Sequence, residues 1–328
     1  MTQPIITISL LAIPETYMSC LSGLYDVLTV SSEVLPGRVP FHVEIVAQAE
    51  QVQIGKSRMP VMAHRKIDDI AMTDVVIVPT SVVGDEGWAI GCYPDIVEWL
   101  KRLYCQGTVL CSTCSGVLLL AETGLLNGRD ATTHWTLKEM MKAHFPKVNL
   151  RLERELIVTG DDDRLIMSGA SSAWHDLALY LIARYAGPAT AQAAAKFFML
   201  QWHANGQTPY LTFQDIHDHS DAPILKTQVW LQEHWRDPNP VEGMVQESGL
   251  PERTFKRRFQ EATGLPPIKY VQYLRVEKAK QYLENSEIAI DEISWKVGYE
   301  DPSFFRRLFK RIVNVAPGNY RRMFRAPR

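Results

Sequence analysis

No apolar run in this 328-residue chain reaches the ~18–20 residues needed to cross a bilayer. The opening stretch MTQPIITISL also lacks a basic n-region and a small-residue cleavage site. Membrane and exported classes are set aside, and a cytoplasmic location is expected. Cysteine is scarce: five residues, an odd number, in a chain that is 46% apolar. A chain this long buries a core without covalent staples, so a disulfide scaffold is excluded. Cys111 and Cys114 form the single C-x-x-C, and no second pair completes a zinc set. No metal and no cofactor is expected, and Cys92 and Cys105 are expected as buried apolar residues. Net charge is small too, at −2, but it is unevenly placed. Residues 223–328 carry 19 Lys and Arg against 13 Asp and Glu, a net +6, whereas the remainder is −8. A basic tail on an acidic body suits a nucleic-acid reader whose other half does something else. The length suggests two domains, which commonly run ~100–200 residues.

The tail says the same thing twice. Phe255 and Phe259 recur fifty positions on as Phe305 and Phe309; Gly264 recurs as Asn314, Pro267 as Pro317 and Tyr270 as Tyr320. Upstream, Gly249-Leu250 answers Gly298-Tyr299. Each copy reads helix, Gly turn, helix, left-handed stop, Pro, Tyr, because Gly and Asn tolerate the conformation that ends a helix and Pro cannot continue one. That is a helix-turn-helix unit in tandem. In each second helix an apolar stripe opposes a polar one. Phe255, Phe259 and Ala262 face Arg253, Lys256, Arg257 and Gln260; Phe305, Leu308, Phe309 and Ile312 face Ser303, Arg306, Arg307 and Lys310. Arg and Lys on a helix entering the major groove reach guanine edges and phosphates. Phe304 is expected to pack rather than to touch a thymine methyl.

Residues 224–325, with the linking helix KYVQYLRVEKAKQYL and the ending NVAPGNYRRMF, resemble the DNA-binding domain of the AraC/XylS family. The resemblance implies base contacts from Arg253, Lys256 and Arg257 in the first module and Ser303, Arg306 and Arg307 in the second. It also implies double-stranded promoter DNA and RNA polymerase as partners, with activation favoured over repression. The two boxes read would lie about one turn of DNA apart, ~34–36 Å.

The first two thirds alternate strand-like and helix-like segments: IITISLLAI, a helix over Leu21–Leu35 ended by Pro36-Gly37, FHVEIVAQ, DVVIVPT, and the helix YPDIVEWLKRLYCQG. TVLCSTCSG then turns into the helix GVLLLAETG; LIVTGDDDRLIMSG holds two strands around an acidic turn; Ser172–Tyr185 and residues 189–204 read as helices. The order predicts an α/β, flavodoxin-like parallel sheet over residues 1–204 with helices on both faces. Periodicity is lost at 205–222, the expected linker, and residues 223–328 form an all-α domain. His217 and His219 with Asp215, Asp218 and Asp221 are read as a solvated polar cluster in that linker.

Cys114-Ser115-Gly116, where a strand runs into a helix, resembles the nucleophile elbow of the class I glutamine-amidotransferase-like (PfpI-like) superfamily, and the match continues through AETGLLNGRDATTHW, HDLALYLIARYAG and GQTPY. The joint architecture resembles that of the GlxA-type regulators. A thiol at such a turn, near a helix N-terminus, is expected to have a lowered pKa. Catalysis would further need a base and an acid near the first helix. His134 is present, but Cys20 occupies the acid's position, Glu15 lies several residues early, and Ser115 follows Cys114 where protease-like members have His. The expectation is a non-catalytic domain whose elbow binds a small-molecule effector through Glu15, Cys20, Cys114, Ser115, His134 and Trp135. Trp174 and His175 are assigned to core packing. Family members of this composition respond to amino-acid or quaternary-ammonium metabolites, and a homodimer is expected. The alternative is a cysteine-dependent hydrolase or hydratase fused to a DNA anchor.

Overall fold

The computed structural model describes residues 4–34, 41–84, 87–213, 217 and 219–325. They fall into two compact units, Met1–Gln207 and Thr208–Arg328. The first is built on seven strands: β1 (Ile6–Leu11), β2 (Phe41–Ala47), β3 (Arg65–Lys66), β4 (Val75–Val78), β5 (Val109–Thr113), β6 (Leu156–Thr159) and β7 (Leu165–Ser168). Their order across the sheet is β6-β7-β5-β4-β1-β2-β3. All neighbours run parallel except β6, which is antiparallel to β7. The exception has a simple cause: Gly160–Arg164 is too short for the crossover that a parallel pair requires.

Strands buried on both faces read as continuous apolar runs, and the alternation within them assigns each face. Val75 and Ile77 of β4, with Val109 and Cys111 of β5, pack toward the core that holds Leu24 and Leu177. Val76, Val78 and Leu110 point to the opposite core, with Leu100 and Leu118. The covering helices are α1 (Met18–Val34), α2 (Pro94–Cys105), α3 (Val117–Glu122), α4 (Lys138–His144), α5 (Trp174–Ala186) and α6 (Pro188–Phe197). The chain leaves β1 for β2 on one side and returns to β4 on the other. The C-terminal ends of β1 and β4 therefore flank the crevice where open α/β sheets bind ligands.

Two sequence expectations shift here. The helix expected through residue 204 stops at Phe197, because Met199 adopts φ +55° and Leu200 N–H closes the end on Ala195 O at 2.8 Å. Cys92 and Cys105, expected inside, are exposed. Pro36-Gly37, expected to end α1, lies outside the described residues.

The second unit is built from α7 (Ala222–His234), α8 (Pro240–Ser248), α9 (Glu252–Thr263), α10 (Pro267–Asn285), α11 (Ile290–Lys296), α12 (Pro302–Val313) and α13 (Pro317–Phe324). The repeat read in the sequence is a repeat in space. α8 turns into α9 through Gly249, and α9 stops on Gly264, both left-handed at φ +66° and +71°. α11 turns into α12 past Gly298, and α12 stops on Asn314 at φ +67°. The ring of Phe255 lies 5.5 Å from Phe259, which meets Tyr270 edge-on at 5.2 Å; Phe305, Phe309 and Tyr320 repeat this at 5.9 and 5.6 Å. Residues 205–222, the expected linker, are divided between the units. Gln207 is fully buried in the first, while Phe213 packs on Tyr270 of the second. Nor are His219 and Asp221 a solvated cluster. His219 Nε2 lies 2.9 Å from Gln228 Oε1, and Asp221 caps α7 and grips Arg258 through two bonds of 2.9 and 2.8 Å. Asp215 and Asp218 lie outside the described residues. Among the described residues no helix is long and apolar enough to cross a membrane.

Candidate functional site

β5 ends at Thr113, and the next three residues make one tight turn before α3. Cys114 takes φ +51°, a conformation strained for any residue with a Cβ. Gly116 explains why the turn can be so close: a Cβ there would sit 2.3 Å from Val78 O and 2.8 Å from Pro79 O. Ser115 fastens the other side. Its hydroxyl donates to Ser81 O at 2.6 Å and accepts from Ser81 N–H at 2.8 Å. Ser115 is thus a clamp on the segment after β4, with its oxygen already committed.

The other candidates converge on this turn from separate elements. Cys20 of α1 is buried, its sulfur 3.2 Å from Thr113 Oγ1, which is also 3.0 Å from Thr80 Oγ1. Thr133 Oγ1 donates to Cys114 O at 2.9 Å and so carries His134 and Trp135 to the elbow. Their rings stack with centroids 3.8 Å apart. Glu15 lies in the loop before α1, where its carbonyl accepts from Val82 N–H at 2.6 Å. Its carboxylate is taken by Tyr93 Oη at 2.5 Å.

The electrostatics correct one expectation. The Cys114 thiol is pushed up, not down: burial dominates, and the Glu155 carboxylate adds to it, against the hydrogen bonds from Ser171 and Ser115. A nearly enclosed sulfur loses more by desolvation than the adjacent short helix returns. Burial also holds the His134 imidazole below its usual range. Both groups therefore favour their neutral forms. Among the described residues no hydrogen bond joins them: Cys114 Sγ is 3.4 Å from Ser171 Oγ, and His134 Nδ1 is 2.7 Å from Thr136 Oγ1.

Residues invisible to sequence reasoning complete the setting. Glu155 is buried, accepts from the amides of Gly169 and Ala170 at 3.2 and 3.1 Å, and is pushed up to about 7, chiefly by burial. Gln207 Nε2 donates to Thr132 Oγ1 and Thr133 O at 3.1 and 3.0 Å, binding the end of the unit to the segment beside the elbow. Trp174 packs as expected, its ring lying where a Cβ on Gly23 would come within 2.5 Å. His175 does not join the core; its Nε2 lies 3.0 Å from Gln201 O. A cavity of about 440 Å³ opens beyond the ends of β1 and β2, lined by Ala12, Ile13, Pro14, Gln51 and Arg58 among others. None of the six sequence-read candidates lines it.

In the second unit the two-faced helices stand as their patterns imply. Phe255, Phe259, Phe305 and Phe309 are fully buried, and Leu308 nearly so. Arg253, Lys256, Arg257, Ser303, Arg306 and Arg307 are all exposed. Lys256 reaches Glu252 at 2.5 Å, Arg257 reaches Glu261 at 2.8 Å, and Arg306 pairs with Asp291. Exposed pairs of this kind are worth ~0–1 kcal/mol, so they open readily. Phe304 is 39% exposed with its ring 5.7 Å from Tyr299, part packing and part surface.

The DJ-1/PfpI family profile matches residues 22–183, and the helix-turn-helix domain profile matches residues 244–323. The chain is 27% identical to the HTH-type transcriptional regulator CdhR of Pseudomonas aeruginosa over 70% of its length and 67% of that protein. It is likewise 27% identical to the HTH-type transcriptional regulator GlxA of Rhizobium meliloti, over 68% of each chain. In fold, 59% of the chain superposes on 99% of a putative transcriptional regulator from Vibrio parahaemolyticus at TM-score 0.51 and 18% identity. The chain thus carries a DJ-1/PfpI domain followed by an AraC-type helix-turn-helix domain, and it is similar to HTH-type transcriptional regulators.

Proposed function

We propose that the protein is a cytoplasmic transcription activator that works as a homodimer, engages promoter DNA and RNA polymerase, and is controlled by a small metabolite at a non-catalytic elbow. The observation that carries DNA reading is the doubled scaffold. Two helices anchored by the same Phe-Phe-Tyr packing each present exposed basic residues on the opposite face. Arg253, Lys256 and Arg257 read one box, and Ser303, Arg306 and Arg307 the next, about one turn away at ~34–36 Å.

The non-catalytic reading of the elbow is supported by its charge state. A thiol pushed up by burial beside an imidazole held down by burial makes no thiolate–imidazolium pair. Glu15, the nearest carboxylate of the first loop, is occupied by Tyr93. The half-buried, stacked rings of His134 and Trp135 supply an aromatic wall, and an effector there biases an equilibrium between DNA-engaging and non-engaging arrangements. Thr133 gives that bias a route, since it bonds Cys114 O with its hydroxyl and Gln207 Nε2 with its carbonyl. By linkage, effector and operator must strengthen each other's binding equally.

Footprinting of promoter fragments, with and without a panel of amines and amino acids, tests the proposal on wild type, Cys114→Ser, Trp135→Ala and Arg58→Ala. Two protected boxes per half-site, modulated by one compound, unaffected by Cys114→Ser and blunted by Trp135→Ala, are expected. Loss of the response only in Arg58→Ala moves the effector to the cavity beyond β1 and β2. Loss in Cys114→Ser restores a thiol-dependent enzyme reading.

A further inference from the structure

The first turn of α5 holds a cluster that neither the elbow nor the DNA-reading helices use. Trp174 lies against Gly23, and the next two residues are His175 and Asp176. The left-handed turn at Met199 brings the following segment back alongside them, placing Gln201 and His203 within reach. Asp176 is only 3% exposed, and a buried carboxylate must be compensated. Its Oδ1 accepts from His203 N–H at 2.9 Å, which fixes the plane of the group. Its Oδ2 faces two imidazoles, 2.6 Å from His203 Nδ1 and 3.6 Å from His175 Nε2. The ligand-capable atoms of the three side chains all lie within 4.8 Å of one another. A backbone oxygen, Gln201 O, is 3.0 Å from His175 Nε2.

We propose that His175, Asp176 and His203 form a binding site for one divalent cation of the zinc class. Two imidazoles and a monodentate carboxylate are a donor set for borderline transition metals, whereas magnesium and calcium favour all-oxygen surroundings. Zinc bonds to such donors run ~2.0–2.2 Å, giving tetrahedral ligand-to-ligand edges of roughly 3.3–3.5 Å. The 3.6 Å edge already has that length, and the 2.6 Å edge opens by a small swing of the partly exposed His203 ring. An ion pair accounts for His203 and the Gln201 carbonyl for His175 Nε2; to ligate, His175 shifts its proton to Nδ1 and releases Gln201 O. The Oδ1 bond from His203 N–H holds the carboxylate in its ligating orientation, the outer support that metal-binding carboxylates usually have. The proposal does not depend on the elbow or on any effector.

Isothermal titration of the full chain with zinc chloride at pH 7 tests it. One equivalent bound is expected. His203→Gln and Asp176→Asn are expected to weaken binding roughly tenfold or more, while His219→Ala and Cys114→Ser leave it unchanged. Because the Asp176 variant risks misfolding, wild type is also titrated with cobalt(II). Visible d–d bands without a thiolate charge-transfer band are expected. Absence of a saturable equivalent, full affinity in a folded His203→Gln, or loss of the site in Cys114→Ser would overturn the assignment.

Discussion

Arg275 Nη1 donates to Gly298 O at 2.9 Å, joining α10 to the turn between α11 and α12. The same guanidinium donates to Trp235 O at 2.7 Å and Asp237 O at 2.6 Å, beyond the end of α7, and lies 5.0 Å from the ring centre of Tyr299. One buried side chain therefore satisfies three carbonyls from two segments far apart in sequence. Gly298 admits the approach: it has φ +86°, and a Cβ there would come 2.8 Å from Arg236 O and 3.0 Å from the Arg275 guanidinium.

Arg275→Leu strands those carbonyls, so it is expected to destabilise the second unit by on the order of 3 kcal/mol. Urea unfolding of the full chain, followed by tryptophan fluorescence, measures this. A loss below about 1 kcal/mol would show that water replaces the guanidinium without strain.

Gly116→Ala drives a methyl into Val78 O and Pro79 O, both backbone atoms that cannot step aside. A cost of roughly 2–4 kcal/mol is expected, with disturbance of Cys114. Gly107→Ala is the control. It has φ +104° but open space around it, so only about 1 kcal/mol of backbone strain is expected. Thermal denaturation of both variants decides whether contact or conformation dominates.

Glu155, pushed up to about 7 from an ordinary 4.5, sets a pH dependence whose sign is fixed. Between those values the folded form keeps a proton that the unfolded form has lost, so stability falls as pH rises from 4.5 to 7. The whole contribution is on the order of 3 kcal/mol. Glu155→Gln keeps an oxygen for the amides of Gly169 and Ala170 but cannot ionise. Its stability is expected to decline less than that of wild type across this window, as denaturant midpoints at pH 4.5, 6 and 7.5 would reveal. Parallel curves would place the proton elsewhere.

Arg257→Ala and Arg307→Ala are each expected to cost ~1–3 kcal/mol on the cognate site if they read bases. Fluorescence anisotropy against cognate and scrambled duplexes separates the cases. Equal losses on both would reduce them to phosphate contacts, with a salt slope lowered by about one.

The parts legible in the sequence were those governed by local rules. Val75–Val78 reads as a buried strand because both its faces are covered, and Gly264 and Asn314 read as stops because few residues tolerate their φ. The elbow was visible through Cys114-Ser115-Gly116, although Ser115 proved to be a fastening for Ser81. What escaped depends on which distant segments meet. Glu155, Ser171 and Gln207 reach the elbow's surroundings from elements far from it in sequence, and no spacing rule marks them. The raised thiol is hidden from the sequence for the same reason, since burial at Cys114 is a property of the assembled unit. His175 and His203 are 28 positions apart and meet only because Met199 turns the chain back.

The paired triads of Phe255, Phe259 and Tyr270, and of Phe305, Phe309 and Tyr320, carry a consequence for how this protein can vary. Each triad is the chassis of its module, and none of its rings shares a position with the outward-facing side chains. Vocabulary and grammar are thus held by different letters of each module. Under the proposed function, exchanging the outer letters of one module would rewrite one word of the operator and leave the other word, and the solidity of both modules, as they were.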